Sequence, residues 1–486
     1  MNNVKAKLVK IVGTKNFSDS PKILKAYSKD YSLAPPGMPN YVVKPKDAKE
    51  VSEIVKLANE YKTPVVPCSS GVHFYGATIP KQGGIIVDLS RMNKIFEIDE
   101  PNKRARIEPG VTWEQIENEL EKRDFQVVIP LLPHSSRSVV TDYLERVFPL
   151  AVVYDYGEPL QGMEVVWPNG DIFRTGSAST PGYPDSVARG VMPAGPGLDF
   201  WRLLQCAQGT MGIVTWANIK IEYLPKVNKF FFIPFNDISN AVEFVYRILR
   251  QKIGDECLLL NNVTLAAILA TNWPQDFDKL RAIFPPWTLL LTITGGYRRP
   301  EERIAYQENA LMLIKKNEYQ QLNISEALPG VPGAGRKLLA MLRKPWPKDI
   351  TYWEHRYKGG CQSLFFITKP IYAHKFIKCV EELAVKHCYP INDIGYYLQP
   401  IEENRGCHLE FKFFYNPDDP EEIGQVSGLY AEAAKVLLNE GALFTRPYGI
   451  LANIVYDKAA GYTAALKRVK KVFDPNNIMN PGNLCF

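Results

Sequence analysis

The cysteines of this 486-residue chain are few and scattered: there are eight, and no two of them form a CxxC pair. Zinc ribbons and the common iron–sulfur clusters need closely spaced thiolates, so the sequence excludes those sites and we predict no metal. Scattered thiols in so large a core are typical of reduced cysteines rather than of a disulfide framework. Any redox chemistry must therefore use an organic cofactor.

Long hydrophobic runs are also missing, and no stretch approaches the length of a membrane-spanning helix. The N-terminal sequence MNNVKAKLVKIVG contains basic residues but no apolar core of signal-peptide length. These observations predict a cytoplasmic protein without a membrane span. The net charge is only +6, with Lys and Arg interspersed among Asp and Glu, which argues against a nucleic-acid partner.

What the chain does contain is an ordinary globular composition, with 46% hydrophobic and 23% charged residues. Its length suffices for two or three domains. Helix and strand periodicities alternate over the first half, and longer helices with aromatic-rich strands follow from about residue 226. The predicted elements of the first half are a helix at 47–61, a helix after Thr112, strands at 65–66, 83–89, 105–108 and 127–129, and a hairpin joining 162–167 to 171–174.

The stretch PVVPCSSGVHFYGA, residues 64–77, ends a predicted strand and continues into small residues. Ser69, Ser70 and Gly71 allow the backbone to curl closely. Consecutive N–H groups in such a turn form a concave nest for an anion, most commonly a phosphate. An ordinary surface turn is the alternative that this stretch alone leaves open.

Several segments, taken in order, carry a family resemblance. VVKPKDAKEVSEIVKLANEYKTPVVPCSSG, GGIIVDLSRMNKIFEIDE, ARIEPGVTWEQI, GMEVVWPNGDIFRTG and GTMGIVTWANIKIEYLP resemble the FAD-binding domain of the vanillyl-alcohol oxidase and para-cresol methylhydroxylase family. In the second half, LNNVTLAAILA, ENRGCHLEFKFFYNPDDP and FDPNNIMNPGNLCF resemble that family's substrate domain and C-terminal return. The resemblance covers nearly the whole chain.

This resemblance implies an α+β fold with two domains. Residues 1–225 would form an FAD-binding domain of the para-cresol methylhydroxylase type, completed by residues 441–486. Residues 226–440 would form an α+β substrate (cap) domain with an antiparallel sheet. The active site would lie between the two domains.

The cofactor implied by the resemblance is FAD, held by three segments. The turn at 69–74 would bind the pyrophosphate, although Ser69, Val72 and Phe74 depart from the family's glycine-rich pattern. The region 133–143 would be the second segment, with Arg137 and Asp142 replacing smaller or neutral residues. The third segment would be the strand with Gly209, Gly212, Ile213 and Val214, whose backbone would contact adenine and ribose. Close packing of strands is the alternative for its glycines. The expected cofactor contacts are Ser69, Ser70, Gly71, Val72, His73, Phe74, Ser138, Val139, Asp142, Gly209, Gly212, Ile213, Val214, His408 and Asn483.

The resemblance also implies an active-site acid. An ungapped count from Glu145-Arg146 to GMEVV at 162–166 aligns Asp155 with the family's catalytic Asp. Such an acid would accept a substrate proton or stabilise positive charge as hydride departs. Glu158 competes, because YGE imitates the family's YGD with a shift of three residues. A loop with solvated acids is the further alternative.

Arg446, in GALFTRPYG, corresponds to a family Arg that stabilises a phenolate or carboxylate of the substrate. A guanidinium suits either anion, since it stays charged and donates a bidentate pair of hydrogen bonds. Thr445 stands where vanillyl-alcohol oxidase has a Tyr, and Tyr75 is the approximate candidate for that enzyme's other phenolate-binding Tyr. A surface ion pair is the alternative for Arg446.

Two histidines are candidates for a covalent link to FAD. His73, in SGVHFY, resembles the SGGHSY of berberine-bridge-type relatives, and His408, in GCHLEF, corresponds to the flavin-linked His of vanillyl-alcohol oxidase. We prefer His408, because the resemblance implies that the flavin 8α methyl faces the substrate domain, where strand alternation in CHLEFKFF would turn His408 and Glu410 to one face. A buried, hydrogen-bonded His without a link is the alternative for each.

We therefore expect an FAD-dependent oxidase or dehydrogenase that takes hydride from a C–H bond at or next to an oxygen function, with a para-hydroxybenzylic substrate preferred. A 2-hydroxy acid of the glycolate or D-lactate type ranks second, because the metal-binding His pair of those relatives is not evident. A non-redox flavoprotein, or a flavin-binding subunit of a larger complex, is the other alternative. The expected partners are a small-molecule substrate and either further copies of the chain or an electron-accepting subunit.

Overall fold

The computed structural model describes residues 2–152, 159–180 and 192–486. None of the helices in these ranges is both long and apolar enough to span a membrane. The α-helices are α1 (Asn2–Val12), α2 (Pro21–Ala26), α3 (Ala48–Tyr61), α4 (Trp113–Glu121), α5 (Val139–Leu144), α6 (Ile238–Leu249), α7 (Asn262–Leu269), α8 (Gln275–Ile283), α9 (Pro300–Glu318), α10 (Ala334–Leu342), α11 (Ala373–Lys386), α12 (Pro420–Asn439), α13 (Gly449–Lys458) and α14 (Ala460–Phe473).

The strands form four sheets, of which three are large enough to organise the fold. They are β1 (Phe17–Ser18), β2 (Tyr41–Val43), β3 (Val65–Cys68), β4 (Ile85–Asp88), β5 (Ile95–Asp99), β6 (Arg104–Ile107), β7 (Phe125–Gln126), β8 (Leu160–Val166), β9 (Ile172–Arg174), β10 (Ile213–Lys220), β11 (Glu222–Tyr223), β12 (Val227–Phe235), β13 (Glu256–Asn261), β14 (Trp287–Gly295), β15 (Gly360–Thr368), β16 (Ile394–Ile401) and β17 (Gly406–Tyr415).

The first sheet is mixed, with the strand order β1-β2-β4-β3. Strands β2, β4 and β3 run parallel, and β1 is antiparallel to β2. Helix α3 packs on this sheet because its apolar residues recur on one face, and Val51, Ile54 and Val55 are fully buried there. Asp47 caps the helix, since its carboxylate accepts a hydrogen bond from the first turn. The turn after β3 is thereby held at the carboxyl end of a covered strand.

The second sheet is antiparallel, with the order β5-β6-β10-β8-β9. Val166 of β8 and Ile213 of β10 share an apolar cluster with α3, so the first two sheets pack around the same helix. Helix α4 begins with a capping box between Thr112 and Gln115, and Trp113 is buried in the core beneath this sheet.

The second half of the chain forms a six-stranded antiparallel sheet, β12-β14-β13-β16-β17-β15. One face packs against α6, α9, α11 and α12. The other packs against α7, α8 and α10, and against Leu131, Leu132 and Leu150 of the first half. The odd-numbered apolar residues of β17 from Cys407 to Phe413 belong to the first face. Alternation therefore turns the polar side chains of β17 toward the first half.

The C-terminal segment returns to the first sheet. Val65 in β3 donates its N–H to the carbonyl oxygen of Ile478 (2.7 Å) and accepts the N–H of Asn480 (2.8 Å). Buried Lys470 reaches the same segment, since its ammonium contacts the carboxylate of Asp474 (2.6 Å) and the carbonyl oxygen of Met479 (3.1 Å). The domain boundaries after residues 225 and 440 stay predictions, and these contacts support including the last residues with the first half.

The α+β class and the antiparallel second-half sheet are confirmed. One predicted strand, at 127–129, is wrong. The pairing residues are Phe125 and Gln126 instead, which bond to β11, and the chain then leaves the sheet. Val127 and Ile129 are buried but do not pair in a sheet. A run of apolar residues indicates that a segment is buried, but it does not specify whether a strand or another element packs against it.

Candidate active site

One cleft is lined by three segments that lie far apart in the sequence, and it encloses about 870 Å³ of empty space. Its lining comprises residues of the turn after β3, of α5, and of the chain entering β10: Ser69, His73, Phe74, Tyr75, Arg137, Val140, Thr141, Gly209, Gly212, Ile213 and Val214. The three segments expected to bind FAD therefore meet around one cleft.

The turn after β3 leaves its backbone donors free. Within the described chain, none of the N–H groups of residues 70–74 donates a hydrogen bond. The turn is braced through a carbonyl instead: the Sγ of Cys68 and the Nε2 of His73 lie 3.1 and 2.6 Å from the carbonyl oxygen of Ser70. Consecutive unpartnered backbone donors are what an anion site requires, so this turn fits a diphosphate group.

The second segment contains a buried ion pair between Arg137 and Asp142, with Nε and Oδ1 2.5 Å apart. The other carboxylate oxygen of Asp142 accepts the indole N–H of Trp113 (2.7 Å). Burial alone would lower the pKa of Arg137, but Asp142 outweighs it and raises that pKa above its ordinary value. The guanidinium lies over the rings of Phe74 and Tyr75, 5.2 and 5.6 Å from their centroids. Arg137 is therefore a fixed positive charge facing the cleft.

Two glycines complete the cleft where other residues would not fit. Gly209 has a φ of +70°, and a Cβ there would lie 2.5 Å from the Cγ of Pro67. A Cβ on Gly212 would lie 2.8 Å from a methyl carbon of Val165. Close packing thus explains both glycines, while their backbones remain exposed to the cleft.

A second cavity adjoins this cleft and shares Phe74, Tyr75 and Arg137 with it. It encloses about 590 Å³ of empty space. Its lining combines aromatic rings with ionisable side chains, namely Phe148, Tyr352, Trp353, Tyr397, Glu354, His408, Glu410, Lys412 and Arg446. We call it the substrate cavity.

Arg446 is buried in the wall of the substrate cavity, with 3% of its surface exposed. Its guanidinium carbon lies 4.1 Å from the ring centroid of Phe365. Its Nε and Nη1 atoms have no hydrogen-bond partner in the described residues. A buried cation without acceptors is costly unless a ligand supplies them, so Arg446 fits an anionic group of a bound molecule.

Tyr75 lies between the cleft and Arg446. Its ring stacks on Tyr448 with centroids 4.7 Å apart, and the hydroxyl of Tyr448 donates a hydrogen bond to Glu145. Burial raises the pKa of Tyr75 to about 12, although Arg446 and Arg137 oppose the shift. Tyr75 is therefore a neutral phenol at physiological pH and a hydrogen-bond donor beside the Arg446 guanidinium.

His408 lies on β17 in the wall of the substrate cavity and packs against the rings of Phe148 and Tyr397. Its Nε2 is 3.0 Å from Oε2 of Glu410, and its Nδ1 is without a partner among the described residues. Because a carboxylate accepts a proton, Glu410 fixes the hydrogen on Nε2 and leaves the lone pair on Nδ1. Burial lowers the pKa of His408, although Glu410 opposes the shift. The imidazole is therefore neutral at physiological pH.

The sequence-predicted residues fall into separate groups. Tyr75, His408 and Arg446 come together in the substrate cavity, and His73 lies in the cleft. Asp155 and Glu158 lie outside the described residues. Six expected FAD contacts do not line the cleft: Ser70, Gly71, Val72, Ser138, Val139 and Asp142. Of these, Asp142 lines the substrate cavity, and Ser70 and Gly71 line a separate groove. Asn483 is buried and donates to the carbonyl oxygen of Asn480 (3.4 Å). All of these FAD contacts stay predictions.

Sequence reasoning missed Lys412, Glu354, Glu145 and Tyr448. Lys412 left a signal, because β17 places His408, Glu410 and Lys412 at every second position of an otherwise apolar strand. Glu354 left none, since a short turn at 353–355 brings it to β17. Over the residues that the structure describes, no group of three or more His, Cys, Asp or Glu could hold a metal ion.

Two family models match this chain. The model described as FAD binding domain matches residues 39–176. The model described as FAD linked oxidases, C-terminal domain, matches residues 376–484. The first range contains the turn after β3 and helix α5. The second contains β17, Arg446 and the C-terminal return.

Curated relatives and solved structures extend the likeness over the whole chain. The chain is 28% identical to the glycolate oxidase subunit GlcD of Bacillus subtilis, over 99% of this chain and 96% of that protein. It is 26% identical to the 4-cresol dehydrogenase [hydroxylating] flavoprotein subunit of Pseudomonas putida, over 91% and 87%. The crystal structure of p-cresol methylhydroxylase with substrate bound superimposes with a TM-score of 0.85 at 22% identity, over 100% of this chain and 96% of that one.

Proposed function

Because this chain belongs to the FAD-linked oxidases and dehydrogenases of the para-cresol methylhydroxylase type, we propose that it oxidises a phenol that carries a para-hydroxybenzylic C–H bond. The observation that supports this substrate class is the state of Arg446. Its buried Nε and Nη1 have no acceptor in the described chain, and a phenolate oxygen would supply one. Tyr75 would donate a second hydrogen bond to the same oxygen.

The walls of the substrate cavity suit an aromatic ring. Phe148, Tyr397 and Trp353 line it, and Phe365 backs Arg446. Aromatic rings pack favourably edge-to-face and offset against one another. A benzene ring would therefore lie among these side chains with its oxygen toward Arg446.

The residues then divide the chemistry as follows. Oxidation of a benzylic alcohol releases one hydride and one proton, and FAD supplies the hydride acceptor. His408 takes the proton on Nδ1, the nitrogen whose lone pair is free in the described chain. Arg446 and Tyr75 hold the phenol oxygen of the substrate. Asp155, which lies outside the described residues, stays the sequence-predicted alternative for the proton acceptor.

A 2-hydroxy acid is the second candidate substrate. The glycolate oxidase subunit is similar over 99% of this chain. In this reading Arg446 would bind the carboxylate and His408 would take the proton of the 2-hydroxyl group. The similarity to a flavoprotein subunit also favours an electron-accepting partner protein, which we propose for either substrate.

Anaerobic bleaching of the FAD absorbance tests the substrate class. We expect 4-hydroxybenzyl alcohol to bleach the flavin, and benzyl alcohol, its matched analogue without the phenol oxygen, to react slower by on the order of 10²-fold, the effect of losing a charge-assisted hydrogen bond in a buried site. Bleaching by glycolate or D-lactate alone would replace the phenolic proposal with the 2-hydroxy acid. No bleaching by any of them would favour a non-redox use of the fold.

A further inference from the structure

Four ionisable side chains form a hydrogen-bonded line. It starts at His408, whose Nδ1 has no partner among the described residues. His408 contacts Glu410 (3.0 Å), Glu410 contacts Lys412 (2.6 Å), and Lys412 contacts Glu354. We propose that this line is a proton relay, which carries the substrate proton from His408 through Glu410 and Lys412 to Glu354. The proposal rests on the proposed function for the source of the proton, but the relay itself is testable without substrate.

Burial along the line gives it an inner and an outer end. The side chains of His408 and Lys412 are 3% and 2% exposed, whereas Glu354 is 16% exposed and the most accessible of the four. Trp353 covers Lys412, whose ammonium lies 4.8 Å from the ring centroid. His355, next to Glu354, lines a groove open to solvent. Glu354 itself lines the substrate cavity, and as the most exposed of the four it is the member that can release a proton to water.

Stability alone gives little reason for this arrangement. Buried ion pairs are often neutral or worse for stability compared with apolar packing, because desolvation offsets their attraction. Here one buried ammonium is shared by two carboxylates at the wall of a cavity. Such an arrangement has room for one more proton, and every neighbouring pair along it is within hydrogen-bonding distance.

The charges around the line favour movement toward Glu354. Burial would raise the pKa of Glu410, but Lys412 and His408 outweigh it and hold that pKa below its ordinary value. The pKa of Glu354 is raised, by burial and by the nearby negative charge of Glu410, with Lys412 opposing. A proton is thus held more strongly by Glu354 than by Glu410.

The other groups that face the line do not replace its members. Ser363 on β15 is 3.4 Å from the Lys412 ammonium. Burial holds the pKa of Cys361 on β15, and of Tyr352 and Tyr397, above their ordinary values, so all three stay neutral. Arg137 and Arg446 are permanent cations, and neither accepts a proton.

The transfer balances with one proton and no redox change. His408 accepts the substrate proton on Nδ1 and releases its Nε2 proton to Glu410. Glu354 and Glu410 hold the pKa of Lys412 well above its ordinary value despite burial, so Lys412 passes a proton to Glu354 and takes the proton of Glu410 in one concerted step. Glu354 then loses its proton to water, which restores every group to its starting state.

Hydrogen exchange at His408 tests the relay in the substrate-free holoenzyme. With histidine labelled by ¹⁵N and the signal assigned by its loss in His408→Asn, the exchange of the Nε2 proton with water is measured by NMR. We expect Lys412→Met and Glu354→Gln to slow that exchange on the order of 10²-fold, as for a lost proton-transfer partner. Lys358→Met is the matched control, because Lys358 also contacts two carboxylates, Asp393 and Glu422, but lines neither cavity.

Unchanged exchange in Glu354→Gln would overturn the relay, and this near-isosteric variant decides the matter even if Lys412→Met does not fold. In single-turnover experiments with a pH indicator, we expect proton release to lag behind FAD reduction in Glu354→Gln and to keep pace with it in the wild-type enzyme. Simultaneous release would likewise contradict the relay. Failure of the wild-type enzyme to react with phenols or hydroxy acids would contradict the proposed function and would leave the exchange result standing.

Discussion

At the scale of a single residue, Glu410 decides which nitrogen of His408 carries the hydrogen. Its carboxylate accepts from Nε2 while Lys412 compensates its charge. A neutral imidazole with a free Nδ1 is what a general base requires. The lowered pKa of His408 means that the base form persists at and below the ordinary histidine value.

Glu410→Gln should therefore move the acid limb of the flavin-reduction rate to lower pH. The carboxylate supports protonation of His408 against burial, so without it burial, Arg446 and Lys412 act unopposed and the pKa of His408 falls further. In the wild-type enzyme the rate is full above the ordinary histidine pKa of about 6.5 and is lost as the pH falls through the lowered value. Rapid mixing across this pH range measures how the flavin-reduction rate falls with acid. A shift of that fall to higher pH in Glu410→Gln would show that Glu410 does not support protonation of His408.

The sequence was informative about these residues only in part. The resemblance pointed to Arg446 and His408, and strand alternation put His408 and Glu410 on one face. The sequence could not reveal that Nε and Nη1 of Arg446 lack acceptors in the described residues, because that depends on which side chains the fold brings near them. Glu354 was unpredictable for the same reason, since it lies 58 positions from the Lys412 it contacts.

At the scale of elements, α4 shows a local conflict that the fold tolerates. Its cap, Thr112, and its apolar face are readable in the sequence, and the helix begins where they predict. Glu117 on the same helix, however, has a half-buried side chain whose Oε1 is shielded from solvent without a partner. Burial raises the pKa of Glu117 to about 8, with Lys344 opposing.

Glu117→Gln should stabilise the protein at alkaline pH. A folded-state pKa above the unfolded value contributes stability that is present below the unfolded pKa and lost as the pH rises through about 8. Relative to the wild type, the free energy of unfolding of Glu117→Gln should be higher by about 1–3 kcal/mol more at pH 9 than at pH 4. Denaturant titrations at both pH values measure it, with Glu119→Gln on the exposed side of α4 as control. An equal change at both pH values would refute the explanation.

At the scale of the whole molecule, the cofactor cleft depends on the C-terminal return. Asn480 donates its side-chain N–H groups to the carbonyl oxygens of Ala77 (2.8 Å) and Gln208 (2.6 Å). These two carbonyls belong to the turn after β3 and to the chain entering β10. The terminal motif was recognisable in the sequence. The two segments that it joins, around Ala77 and Gln208, could not be predicted, because nothing local specifies a contact across 400 residues.

Asn480→Asp should loosen FAD. Aspartate keeps the shape and tolerates the positive φ of this position, but it removes both donors and faces the carbonyls with a negative charge. Losing buried hydrogen bonds costs about 1–3 kcal/mol each, so flavin should be released at a lower temperature, as measured by flavin fluorescence on heating. Asn476→Asp, at an exposed contact with Asn59, should not change the release. If both variants released flavin at the same temperature, Asn480 would not be needed to hold the cleft together.

If His408 accepts the proton of a substrate anchored at Arg446, the rate of flavin reduction must depend on His408 and not on Asp155. We would compare anaerobic flavin reduction by 4-hydroxybenzyl alcohol in the wild-type enzyme, His408→Asn and Asp155→Asn, and examine the acid-precipitated pellet of each for yellow colour. The account predicts full flavin content in His408→Asn, colourless pellets, and reduction slowed by on the order of 10²–10⁴-fold. A normal rate in His408→Asn with a slow Asp155→Asn, or a yellow wild-type pellet that loses its colour only in His408→Asn, would contradict it.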